Sequence, residues 1–310
     1  MSALAGAGAD RARTEGKGST SVDSRDIDIR RVGVIGGGTM GSGIAEVCAR
    51  SGLDTTVVEI DAAAVEGVQR RIAKSLGRAQ DRGRITAEAH DAALANLSYS
   101  HDLADLAGSD LVIEAVIENL DEKRRIFGLL DTITPQHAVL ASNTSSIAII
   151  DLATATNRPS QVVGMHFFNP ATVQPLVEVV RSVASAAEVV DAVVTFGTET
   201  LGKHVIRCED RAGFVVNRLL VPYLLAAIEL ADSGQATIED IDAGMKHGCA
   251  HPMGPLELCD LIGLDVIEAV AEVMHAEYAE RLYAPPPLLR RMVAAGRLGR
   301  KTGAGFYEYS

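Results

Sequence analysis

An α/β fold, with a doubly wound, mostly parallel sheet and a second, all-helical unit behind it, is what this 310-residue sequence predicts. Three observations predict it. From Arg30 onward, short runs rich in Val and Ile alternate with longer amphipathic stretches, as strands separated by crossover helices require. A glycine-rich turn, Gly36-Gly37-Gly38-Thr39-Met40-Gly41, joins the first apolar run directly to the first helical one. After Cys208 the short apolar runs cease and only helical spacing continues.

The elements follow in order. Residues 1–24 are mostly Ala, Gly, Ser and Thr with scattered charge, too few apolar side chains to bury, so a disordered tail is expected. Strands are expected at 31–35 (RVGVI), 55–60 (TTVVEI), 110–116 (DLVIEAV), 137–142 (HAVLAS), 161–168 (QVVGMHFF), 175–180 (PLVEVV) and 203–208 (KHVIRC). Helices are expected between them at 43–51, 62–80 and 121–133. The runs at 161–168 and 175–180 leave too little chain for a crossover, so that pair is expected to be antiparallel or at an edge. Beyond it, 214–233, 237–246, 256–280 and 288–295 read as helices, punctuated by Gly234, Gly248 and Pro285-Pro286-Pro287. The boundary is placed near Asp210, giving units at 25–209 and 210–310.

Charge and cysteine content exclude several functions. With 29 basic and 41 acidic residues the net charge is −12, which disfavours a nucleic-acid or anionic-membrane binder. The most apolar stretch, 214–231, contains Asn217, Arg218, Pro222 and Glu229, so it is a buried helix and not a membrane span. Four cysteines without a C-x-x-C pair, and no secretory or transit pattern, point to a reducing, cytoplasmic setting. His247, Cys249 and His251 lack a second ligand pair at metal spacing, so no metal is expected.

The glycine turn has the strand–turn–helix context of a Rossmann-type dinucleotide site, and the next strand ends in an acid, Glu59. Gly36 allows the tight turn, Gly38 lets backbone amides approach a diphosphate, and Gly41 allows close helix packing; Thr39 and Met40 complete the loop. A carboxylate at Glu59 accepts from ribose hydroxyls and repels the extra phosphate of NADP. Ile60, Asp61 and Ala62 follow it, with no neighbouring Arg. NAD is the expected cofactor.

Chemistry is expected at the carboxyl ends of later strands, facing the nicotinamide. There the run Ser142-Asn143-Thr144-Ser145-Ser146 follows one strand, with Asn143 counted among the cofactor contacts. His166 ends another. Glu178 stands among Leu176, Val177, Val179 and Val180, where a buried carboxylate needs a partner, and His166 is the natural one. Asn217 interrupts the apolar face of the first C-terminal helix, where an amide is costly unless it serves a site.

The motifs SNTSS (142–146), HFFNP (166–170), LVEVV (176–180), GFVVNRLLVPYLLAAIEL (213–230), PMGPLEL (252–258) and GRKTGAGFYEY (299–309) occur in order. Together they resemble the L-3-hydroxyacyl-CoA dehydrogenases, particularly the short-chain monofunctional 3-hydroxybutyryl-CoA enzymes, over about residues 29–310. The resemblance implies an active site of Ser145, His166, Glu178 and Asn217. It also implies that Glu118 and Lys123 contact cofactor or substrate. The family's cofactor acid is commonly Asp, where this chain has the longer Glu59.

From this follows a mechanism in which His166 exchanges the proton of the 3-hydroxyl while the C3 hydride passes to NAD. Glu178 orients the ring, and Ser145 and Asn217 hold the substrate's oxygens. Two other readings fit parts of the pattern: a dehydrogenase of a free hydroxy acid or sugar acid, and a non-catalytic dinucleotide sensor. Between Arg70 and Arg84 lie six basic residues and one acid, with Arg70, Lys74 and Arg78 at i, i+4, i+8. A solvated face is one reading of them; binding of CoA phosphates, led by Lys74, is the other. The long apolar helices of the second unit predict a homodimer or higher homo-oligomer.

Overall fold

The computed structural model describes residues 27–309. The expected disordered tail at 1–24 lies outside the described residues. Eight strands form one sheet: β1 (Arg31–Ile35), β2 (Asp54–Val58), β3 (Leu97–Ser100), β4 (Leu111–Glu114), β5 (Val139–Ser142), β6 (Val162–Phe167), β7 (Leu176–Arg181) and β8 (His204–Glu209). Their order is β3-β2-β1-β4-β5-β6-β7-β8. All neighbours are parallel except β6 and β7. That pair sits inside the sheet, with β8 beyond it. Six helices accompany these strands: α1 (Thr39–Arg50), α2 (Ala62–Asp81), α3 (Ala87–Ala95), α4 (Leu120–Ile133), α5 (Ile149–Ala153) and α6 (Ala187–Thr195).

Successive strand residues face opposite sides, so the sheet contributes to two cores. Val32 and Val34 pack with Ile44 and Cys48 of α1 and Ile72 and Leu76 of α2. Ile35, Val112 and Leu140 pack on the other face with Phe127 and Leu130 of α4 and Leu152 of α5. Strand β3 and helices α3, α5 and α6 were not anticipated. The LSYS segment has one strongly apolar residue and is held by its pairing with β2, a tertiary contact and not a local preference.

Five helices follow the sheet: α7 (Val216–Asp232), α8 (Ile238–Gly248), α9 (Pro255–Ile262), α10 (Leu264–Tyr278) and α11 (Pro287–Ala294). They enclose their own core around Leu224, Ile228, Leu256, Ile267 and Met274. The single helix expected over 256–280 is two. Gly263, at φ +106°, ends α9 and starts α10, a conformation that breaks helical hydrogen bonding and that glycine alone adopts freely. Among the described residues no helix is long and apolar enough to cross a membrane.

Candidate active site

Strand β1 pairs with β2 on one side and β4 on the other, so chain order reverses at its carboxyl end and opens a crevice there. The glycine turn fills the start of this crevice. A Cβ on Gly41 would fall 1.7 Å from Gly36 O, whereas one on Gly38 meets nothing within 4 Å. The helix therefore begins hard against the turn, and open space lies in front of Gly38. Gly38 supplies no side-chain cap to α1. Uncapped amides with room before them suit a diphosphate, so the residues present fit the NAD expected here. Thr39 is exposed at this mouth and Met40 half-buried.

Glu59 lies directly against the turn, its Oε1 accepting from Gly37 N at 2.7 Å. Sequence adjacency missed one neighbour. Arg71, twelve residues on in α2, donates through Nη1 to Gly37 O. An arginine therefore does stand beside the cofactor acid, brought there by the return of α2 over the turn.

The loop after β5 is organised by carboxylates. Glu114, at the end of β4 and fully buried, accepts from Lys123 Nζ at 2.9 and 3.0 Å, from Ser142 Oγ at 2.7 Å and from Val116 N at 2.7 Å. Lys123 Nζ also lies 3.0 Å from Glu118 Oε2. Glu118 in turn accepts from Thr144 Oγ1, Ser146 Oγ (2.9 Å) and Ser145 N (3.2 Å). Partial burial works against its charge, but the Lys123 ammonium and the two hydroxyls outweigh this and hold the Glu118 carboxyl below the usual range. Lys123, expected to contact cofactor or substrate, is only 1% exposed; what it touches here is the two carboxylates. Glu114 was not singled out in the sequence, although an acid after Leu111, Val112 and Ile113 is the same signal that marked Glu178.

His166 and Glu178 are cross-strand partners in the antiparallel β6–β7 register, which sets their side chains side by side on one face. His166 Nδ1 lies 2.7 Å from Glu178 Oε2. Both are buried, at 6% and 0% exposure. A carboxylate that accepts here makes Nδ1 the donor, and in the neutral imidazole that leaves the lone pair on Nε2. Asn143 braces the same strand end, its Oδ1 accepting from Phe167 N at 2.8 Å. Asn217 sits half-buried in the first turn of α7, and Ser145 half-buried in its loop.

A cavity of about 390 Å³ lies between α1, α2 and the loop after β6. Six basic side chains line it (Arg50, Arg71, Lys74, Arg78, Arg82 and Arg84) against one acid, Glu46. Pro170, just past His166, forms part of its wall. Arg70 is not among them; it is exposed and pairs with Glu66 at 3.3 Å. Lys74 and Arg78 of the expected stripe do line the cavity, with Arg71 in the place of Arg70, while Val68, Ile72 and Leu76 bury a different side of the helix.

Comparison with known proteins matches both parts of the chain. The NAD-binding domain of 3-hydroxyacyl-CoA dehydrogenase matches residues 31–211, and that family's C-terminal domain matches 213–309. A 3-hydroxybutyryl-CoA dehydrogenase of Mycobacterium tuberculosis is 52% identical over 91% of this chain and 99% of its own. The human mitochondrial hydroxyacyl-coenzyme A dehydrogenase is 41% identical over 94% and 95%. The crystal structure of (S)-3-hydroxybutyryl-CoA dehydrogenase from Ralstonia eutropha superposes with a TM-score of 0.88 at 46% identity, covering 91% of this chain and all of that one. Since one family's two domains account in sequence for the sheet and for the helices behind it, the chain belongs to the 3-hydroxyacyl-CoA dehydrogenases.

Proposed function

We propose that this chain interconverts a short-chain L-3-hydroxyacyl-CoA and its 3-ketoacyl-CoA with NAD, with 3-hydroxybutyryl-CoA and acetoacetyl-CoA as the reacting pair. The observation that carries this reading is the buried His166–Glu178 pair, at the same edge of the sheet as the glycine turn with β4 and β5 between them. NAD, when bound, supplies the nicotinamide that accepts or donates the hydride. His166 Nε2 takes the hydroxyl proton in oxidation, and the imidazolium returns it to the carbonyl oxygen in reduction. Glu178 holds the Nδ1–H tautomer and stabilises the imidazolium. Ser145 and Asn217 donate to the substrate's oxygens, Asn143 and Glu118 shape the nicotinamide end, and Lys123 holds Glu118. Asn217 comes from the 210–310 unit and the others from 25–209, so the site closes between the two. The test is an initial-rate comparison of 3-ketoacyl-CoAs from C4 to C16 with free acetoacetate, using NADH. Equal turnover of free acetoacetate and its thioester would sink the assignment.

Cofactor choice rests on Glu59. Wild type is expected to prefer NADH, and Glu59→Ala to narrow the gap, because it removes the carboxylate while leaving Arg71 beside the turn. Paired kcat/KM values for NADH and NADPH decide this; a wild type that favours NADPH overturns it.

The basic cavity is read as the seat of the CoA phosphates, with Lys74 foremost, since six cations in an acidic protein attract anions selectively. Charge reversal at Lys74 and Arg78 is expected to raise KM for acetoacetyl-CoA and weaken its salt dependence. KM for NADH and turnover of the N-acetylcysteamine thioester should hardly change. Equal damage to full and truncated substrates would return the face to a solvated one.

The chain is also read as a cytoplasmic homodimer or higher homo-oligomer. Its four cysteines are free, and Leu219 (73% exposed), Leu261 and Val266 leave apolar surface on α7, α9 and α10. Sedimentation at the mass of a single chain at micromolar concentration would refute the assembly.

A further inference from the structure

The segment that leaves the sheet for α7 touches both halves of the catalytic pair. Gly213 and Phe214 adopt consecutive positive φ values, +79° and +45°. For phenylalanine the left-handed region is sterically unfavourable, and it is held only where the surroundings determine it. Here they do. Phe214 is 5% exposed and belongs to the core on the α4–α5 side of the sheet, although it lies just ahead of α7. Its ring stands 5.6 Å from that of His166, tilted by 59°, and Phe168 stands 4.6 Å from the same imidazole.

The backbone turn has a second result. Val215, the N-cap of α7, offers no side-chain cap. Instead the amides of Val215 and Val216 donate to Glu178 Oε1 at 3.1 and 2.9 Å. Glu178 is thereby filled on both oxygens, one by the start of α7 and the other by His166. Just upstream, Asp210 accepts from Ile149 N and Ile150 N, both at 2.9 Å, tying the same segment to the helix that follows the Ser145 loop.

We infer that Phe214 is a positioning residue for proton transfer: its buried ring fixes the left-handed turn that aims the Val215 and Val216 amides at Glu178, and so sets the carboxylate that orients His166. This rests on the reading of His166 and Glu178 as the proton-transfer pair. Replacing Phe by Ala keeps the steric penalty at positive φ and removes the anchor, so the turn relaxes and the amides leave Glu178. Replacing it by Gly removes the anchor and the penalty together, so the turn remains accessible.

Phe214→Ala is expected to lower kcat by about 10²-fold, the scale of misplacing a catalytic group by roughly 1 Å. Phe214→Gly should recover most of that loss, and the dissociation constant for NADH should stay the same in both. In a Glu178→Gln background Phe214→Ala should cost less than about threefold more, because both substitutions act through one interaction. A readout without cofactor or substrate comes from proton NMR of histidine-labelled protein. The downfield His166 Nδ1–H resonance should be present in wild type and Phe214→Gly and absent in Phe214→Ala. If Phe214→Ala does not fold, Phe214→Val takes its place, since a β-branched residue resists positive φ more strongly with a smaller loss of volume. Retention of the resonance in the Ala or Val variant, or a loss that multiplies with that of Glu178→Gln, overturns the positioning role. An unimpaired Glu178→Gln enzyme, by contrast, strikes at the proton-transfer reading itself, and the resonance then decides on Phe214 separately.

Discussion

His166→Gln is expected to lower kcat by about 10²–10⁴-fold, the usual scale for losing a general acid–base, with NADH binding preserved. Glutamine keeps a side chain of comparable reach in β6 and can still donate to Glu178 Oε2, so the cross-strand contact survives. What disappears is the Nε2 lone pair and its ability to become an imidazolium. In the proposed assignment NADH is held by the glycine turn and Glu59, on the far side of β4 and β5 from β6, so its binding should not respond. Stopped-flow oxidation of NADH by acetoacetyl-CoA, beside fluorescence titration of NADH alone, separates the two. Turnover within a few-fold of wild type would remove His166 from the chemistry.

The second large effect is on stability. Lys123→Met is expected to destabilise the fold by about 3–5 kcal/mol, the cost of leaving one member of a buried ion pair uncompensated. Glu114 has no exposed surface, and without the Lys123 ammonium its charge is met only by the Ser142 hydroxyl and the Val116 amide. Because Lys123 also holds Glu118, the Ser145 loop should loosen, so KM for the acyl thioester should rise beyond what the stability loss explains. The double substitution Lys123→Met with Glu114→Gln neutralises both charges and should restore most of the stability without restoring the loop. Urea denaturation of the three variants checks this. An unchanged midpoint for Lys123→Met would mean the pair carries no net stabilisation.

Much of the molecule was legible because its signals are local. Strand and helix periodicity located seven of the eight strands within one or two residues. The glycine turn announced its own geometry, because no other residue tolerates the 1.7 Å approach at position 41. The apolar setting of Glu178 demanded a partner, and few residues were placed to be one. Strand β3 escaped because its stability comes from an edge pairing with β2, which no local pattern encodes. The break at Gly263 escaped because a helical stripe passes through it unchanged while the backbone does not.

What the sequence by itself determined is most of the elements, the glycine turn and the choice of candidate side chains, all consequences of residue type and short-range spacing. Only the tertiary structure decided which of them meet. The β6–β7 register places His166 opposite Glu178, the return of α2 puts Arg71 on the cofactor turn, and the left-handed step at Phe214 brings two α7 amides to a carboxylate some 37 residues earlier in the chain. Each is a contact between segments distant in sequence. Its geometry depends on how whole strands and helices pack, and a one-residue change in strand register would turn every side chain to the opposite face.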